Sequence, residues 1–140
     1  MKGILPFYGR LLSPRPLLFS VFLLLFSVSV VKAKTVVVGA GFGYVSVQNM
    51  NGLNPGDVLA VAAGQYTGGS FSNLNGITIT NNGGTVSLSG TVTLNTLVGC
   101  TFSGFQFNNI NGIGIRWDGN FRRCIEKNIS FNNVSGNAND

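Results

Sequence analysis

From Val45 onward the chain alternates apolar and polar residues in very short bursts. Val45-Ser46-Val47, Ile77-Thr78-Ile79, Val86-Ser87-Leu88, Val92-Thr93-Leu94, Phe105-Gln106-Phe107, Ile113-Gly114-Ile115 and Ile129-Ser130-Phe131 all follow the same apolar, small or polar, apolar order. A period of two turns one side of a strand inward and the other outward. Gly or Asn fills nearly every gap between bursts, so the pattern predicts strands of three to five residues joined by tight turns. After the first third of the chain, no stretch keeps a helical period for more than two turns. Abundant Gly, Asn, Thr, Ser, Val and Ile, with few charges, fit strands and turns better than helices or disorder.

A repeat lies over this alternation. Phe71-Ser72-Asn73-Leu74-Asn75-Gly76 returns as Leu94-Asn95-Thr96-Leu97-Val98-Gly99, as Phe107-Asn108-Asn109-Ile110-Asn111-Gly112 and as Phe131-Asn132-Asn133-Val134-Ser135-Gly136. The copies are spaced by 23, 13 and 24 residues, and Cys100 and Cys124 are also 24 apart. A period of 23 to 24 with three short strands is one coil of a parallel β-helix. Such a coil buries its inner face by stacking on its neighbours, about 4.8 Å away. Asn73, Asn109 and Asn133 would then form a ladder at one turn, because Asn tolerates a left-handed backbone and its amide can bond the amide of the next coil. An ordinary loop Asn is the alternative, and the repeat phase favours the ladder. The 13-residue gap requires either that the Leu94 copy lies on a different face or that one coil carries an insertion.

The stretch 35–69 resembles the opening of pectate-lyase-like right-handed β-helices. The resemblance runs through Val36-Val37-Val38, the glycine-rich Gly41-Phe42-Gly43-Tyr44, the segment Ser46 to Leu53, Pro55-Gly56-Asp57, Val58-Leu59-Ala60-Val61 and Gly64-Gln65-Tyr66. It implies an all-β, right-handed parallel β-helix with a short N-terminal capping helix. It also implies a fold shared by polysaccharide lyases, glycoside hydrolases, pectin esterases and adhesins, so it fixes architecture more than activity. The capping helix would begin at Ser46 as N-cap and carry Val47, Met50 and Leu53 on one stripe. The same residues also fit the repeat, as Val47-Gln48-Asn49-Met50-Asn51-Gly52, which makes a further coil the rival assignment. Asp57 reads as part of a structural turn.

The first third has a different character. Lys2, Arg10 and Arg15 precede an apolar and Ser run from Leu17 to Val31, and Val31-Lys32-Ala33 offers a small-residue cleavage site. This is the order of a secretory signal peptide, removed before Lys34. The run of 15 falls short of the roughly 18 residues of a spanning helix, so no stable membrane span is expected after cleavage, an uncleaved anchor being the alternative. The expected divisions are a signal helix over 1–33, an N-terminal strand and cap over 34–57, and coils over 58–140. The chain stops four residues after a repeat copy, which predicts the N-terminal portion of a longer β-helix or a chain that ends prematurely. Secretion or display at the cell surface follows, with the periplasm as the destination in a Gram-negative host.

Removal of the leader changes the charge. Of the formal +5, most belongs to residues 1–33, and the mature part sets five cations against four anions. A nearly neutral domain suits nucleic acid poorly, because phosphate contacts need clustered cations. The run Val36-Val37-Val38-Gly39-Ala40-Gly41 looks like a dinucleotide fingerprint, but Tyr44 occupies the third glycine position and no long helix follows. Cys100 and Cys124, one coil apart, suit either a disulfide or two stacked thiols.

Enzymes of this fold use clustered carboxylates, to hold Ca²⁺ beside a proton-abstracting base or as an acid and base pair. The residues themselves indicate no cofactor and no metal; Ca²⁺ enters only through the resemblance. The candidate catalytic group is Arg116, Asp118, Arg122 and Arg123, with Trp117 beside them as a candidate sugar-stacking residue. A self-paired surface loop is the better account of the charges, and core packing accounts equally for the Trp. The expected partner is extracellular polysaccharide, bound or degraded; a non-catalytic adhesin or structural β-helix is the alternative.

Overall fold

The computed structural model describes residues 32–48 and 52–136. Almost all of the signal peptide expected over 1–33 therefore lies outside the described residues. Twelve strands follow one another: β1 (Thr35–Val38), β2 (Phe42–Gln48), β3 (Val58–Val61), β4 (Gly64–Asn75), β5 (Thr78–Asn81), β6 (Val86–Leu88), β7 (Val92–Val98), β8 (Thr101–Ser103), β9 (Phe105–Asn108), β10 (Ile115–Asp118), β11 (Ile125–Lys127) and β12 (Ser130–Asn132). Every paired strand is parallel to its partner, and each pairs with the strand one coil away. The described residues form an all-β parallel solenoid of about four turns. No helix occurs among the described residues, and none there is long and apolar enough to cross a membrane.

Strands stack in three columns. The first is β1-β3-β5-β8-β11. The second runs from the start of β2 through the first part of β4 to β6, β9 and β12. The third runs from the end of β2 through the rest of β4 to β7 and β10. In the first column Thr35, Val58, Thr78, Thr101 and Ile125 are successive partners, which gives coil steps of 23, 20, 23 and 24 residues. The corners absorb the difference: residues 82–85 link β5 to β6, whereas Gly104 alone links β8 to β9.

Alternation in each strand sends one residue set to the axis. Leu59, Ile79 and Phe102 stack in the first column, Tyr66, Leu88 and Phe107 in the second, and Val47, Phe71 and Leu94 in the third, all buried. The Phe102 and Phe105 rings stack with centroids 4.2 Å apart, and Phe107 stacks on Phe131 at 5.0 Å. Glu126 takes the place over Phe102 in the last coil of the first column.

Three expectations are revised. Ser46, Val47 and Gln48 belong to β2 and do not open a helix; Val47 pairs with Phe71, as the rival coil assignment requires. The rest of that segment, 49–51, lies outside the described residues. The described strands β1 and β2 start the stack, pairing with β3 and β4. Ile113-Gly114 is not strand, and only Ile115 of that triplet enters β10.

The third revision concerns the repeat. Phe71 and Leu94 are partners in the third column, while Phe107 and Phe131 are partners in the second. The 13-residue gap is a change of face within one solenoid. The shared hexad is a corner motif: its third residue is left-handed in all four copies, at Asn73, Thr96, Asn109 and Asn133, with φ of 54 to 56°. The ladder therefore divides. Asn133 Nδ2 donates to Asn109 Oδ1 at 3.2 Å, whereas Asn73 lies at another corner beside Thr96, because Ser72 pairs with Asn95 and Leu74 with Leu97.

Candidate functional site

A recess in the described surface lies on the outer side of the second column. Gln65, Thr67, Ser87, Ser89, Asn108 and Asn109 line a groove of about 410 Å³, with Tyr66 beneath. The alternation that buries Tyr66, Leu88 and Phe107 turns Gln65, Ser87 and Gln106 outward, in register as Phe42, Gln65, Ser87, Gln106 and Ser130. The groove spans three coils. Its amides are ordered along the stack: Asn132 Nδ2 donates to Asn108 Oδ1 at 2.9 Å, and Asn108 Nδ2 donates to Ser87 Oγ at 2.7 Å. At its floor the Ser89 backbone N–H donates to the Tyr66 carbonyl at 2.9 Å.

Phe42, 73% exposed, heads this column through its pairing with Gln65, and Tyr44, 58% exposed, follows at the corner beside Gly68. Tyr44 lies against Gly68, where an added Cβ would meet the ring at 3.2 Å and the Thr91 carbonyl at 2.7 Å. The missing side chain is what lets the ring lie against the backbone.

The glycine run that mimics a dinucleotide fingerprint has a packing cause. Tyr66 is buried; its hydroxyl donates to the Ala62 carbonyl at 2.8 Å and accepts from the Gly41 N–H at 2.9 Å. A Cβ on Gly39 would fall 2.5 Å from that hydroxyl. The Gly-x-Tyr motif and the glycine run are thus two halves of one clasp between coils.

The charged candidates lie elsewhere. Arg116 and Asp118 face outward on the third column and pair with each other at 3.2 Å, exposed, an interaction of little energetic weight. Arg122 Nε donates to Asn120 Oδ1 at 3.1 Å, and its backbone joins the neighbouring coil through Leu97 and Gly99. Arg123 sits at a left-handed corner, φ 53°. Trp117 is the register partner of Leu94, packs against the core and meets Phe121 with centroids 3.9 Å apart. None of these five residues lines the groove.

The described carboxylates are dispersed. Asp57 is buried and accepts from the backbone N–H groups of Asn54 at 2.8 Å and Lys34 at 2.9 Å. These bonds, Asn54 first, hold its carboxyl below the usual range. Asp118 is on the third column and Glu126 on the first. Among the described residues no three His, Cys, Asp or Glu side chains come together, so they do not fit the Ca²⁺ site that the family resemblance implies.

Cys100 and Cys124 are thiols on adjacent coils, with the Cys100 N–H donating to Cys124 Sγ at 3.4 Å. Burial pushes the Cys100 thiol up.

No protein-family model matches the chain, and no curated protein or solved structure matches it significantly. Functional inference therefore rests on the groove. Sequence reading missed it because the repeat accounts for Asn109 only as a ladder residue and for Asn108 only as part of the hexad, while Gln65 and Ser87 are unremarkable middle members of Gly64-Gln65-Tyr66 and Val86-Ser87-Leu88. Their importance appears only once register lines them up, and the one advance signal was that these middle positions are never charged in the second column.

Proposed function

We propose that the chain is a secreted, right-handed parallel β-helix that binds extracellular polysaccharide along the outer side of its second column, without cleaving it. The observation that carries this reading is a groove of hydroxyl and amide side chains, with exposed Phe42 in register with Gln65 one coil before it and exposed Tyr44 beside Gly68. Sugars offer hydroxyls that both donate and accept, which Ser, Thr, Asn and Gln match, and apolar ring faces that stack on aromatics. Those same lining side chains do not titrate near neutrality, so they hold a sugar while supplying neither general acid nor general base. Right-handedness follows the strong preference of parallel crossovers. Secretion is supported by the basic start, the apolar run Leu17 to Val31 and the small-residue site before Lys34.

Affinity electrophoresis through gels cast with different polysaccharides tests the reading. Retardation is expected for the mature protein. In the double variant Phe42→Ala/Tyr44→Ala, affinity should fall about tenfold, the scale of one to two lost stacking contacts. Unchanged mobility in every polysaccharide gel would refute a glycan role. Release of reducing ends or unsaturated products from pectin or alginate would refute the non-catalytic part. N-terminal sequencing of exported protein should begin at Lys34.

A further inference from the structure

Resting on that glycan-binding reading, we propose that the groove selects uncharged polysaccharide over uronic-acid polymers, with the sugar chain running along the stacking axis. Each lining side chain that reaches the groove from β4, β6, β9 and the corners after them is neutral: Gln65, Thr67, Ser87, Ser89, Asn108 and Asn109. None of the described cations lines it. Lys32 and Lys34 precede β1, where the Lys34 ammonium donates to the Gly52 carbonyl, Arg116 is paired on the third column, Arg122 and Arg123 occupy the corner before β11, and Lys127 lies on the first column opposite Ser103. A carboxylate brought to the groove would give up hydration and find no charged partner, whereas a neutral hydroxyl would exchange water for an amide or hydroxyl of equal strength.

The direction comes from register. Successive outward residues Gln65, Ser87 and Gln106 belong to adjacent coils, about 4.8 Å apart. That step is close to the length of one pyranose unit in an extended chain, so neighbouring sugars would meet neighbouring coils. The side-chain network is polarised the same way. Asn132 donates to Asn108 and Asn108 to Ser87, which leaves the Ser87 hydroxyl proton and the second Asn108 N–H directed to other acceptors. Phe42, next in the column beyond Gln65, extends the track by one coil and offers a ring face to the terminal sugar.

Calorimetric titration of the full mature chain with neutral hexasaccharides (cello-, manno- and laminarihexaose) and with hexagalacturonate makes the comparison. At least one neutral hexamer should bind at least tenfold more tightly than hexagalacturonate, with affinity unchanged between low and half-molar salt. The exposed Gln65→Ala variant and Asn108→Ala should each weaken that binding several-fold, with unaltered circular dichroism. Equal or tighter binding of hexagalacturonate, or binding that collapses in salt, would overturn the neutral selectivity while leaving a glycan-binding protein. Neutral binding indifferent to both variants would move the site off this groove. No binding to any hexamer or polymer would remove the glycan reading itself, and this inference with it.

Discussion

Two buried side chains carry much of the local order at the start of the stack. The Tyr66 hydroxyl joins Gly41 of one coil to Ala62 of the next. Tyr66→Phe keeps the ring and strands both backbone partners, so it should cost about 1–3 kcal/mol, read as a lower urea midpoint at unchanged slope. Asp57 holds two backbone amides, and its folded pKa lies below the unfolded value of about 3.9. Its contribution is therefore fully present above that value and disappears as the pH falls through the folded pKa. Asp57→Asn should lower the melting temperature at neutral pH and flatten the decline below about pH 4, since the wild type loses in acid what the variant already lacks. Parallel melting curves of the two proteins down to pH 2 check this.

The hexad defines the behaviour of the corners. Its third residue is left-handed, a conformation that penalises a β-carbon by about 1–2 kcal/mol unless a short polar side chain compensates. At Asn73, which lies outside the groove, replacement by Ala should destabilise by about 1 kcal/mol and replacement by Gly by less, the reverse of the order in a strand interior. Chemical denaturation of both variants decides it. The corner chemistry was legible because Asn and Gly at fixed offsets have few other reasons to recur. Strand existence and parallel stacking were legible for the same reason: Phe107 and Phe131 at a 24-residue step are vertical neighbours. The assignment of copies to faces was not legible, because the hexad specifies a bend and carries no information about which bend. Nor was the end of β2, where Ser46, Val47 and Gln48 satisfy a helix start and a strand equally well, and pairing with β4 decides. The Arg116 and Asp118 pair drew notice as charge, yet the groove is built from residues without any.

At the scale of the molecule, each coil contacts only its neighbours, so stability is a sum of coil and interface contributions. The middle coil has a partner on both sides, while β11 and β12 each pair with a single strand among the described residues. Ile125 at 58% and Phe131 at 36% exposure mark that edge. Native-state hydrogen exchange should therefore be graded, slowest at amides of β5 and β7 and fastest at β11 and β12. Uniform protection throughout would mean that the coils open together.

Unequal coil lengths carry a consequence for engineering. The register of β5 and β6 with their neighbours is kept although four residues intervene between them, where a single glycine serves the next coil. Gly83 in that link faces open space. A guest peptide spliced in after Gly83 would bulge outward as a hairpin or loop without asking any ladder to shift, making this corner a natural place to display foreign sequence on an otherwise unaltered scaffold.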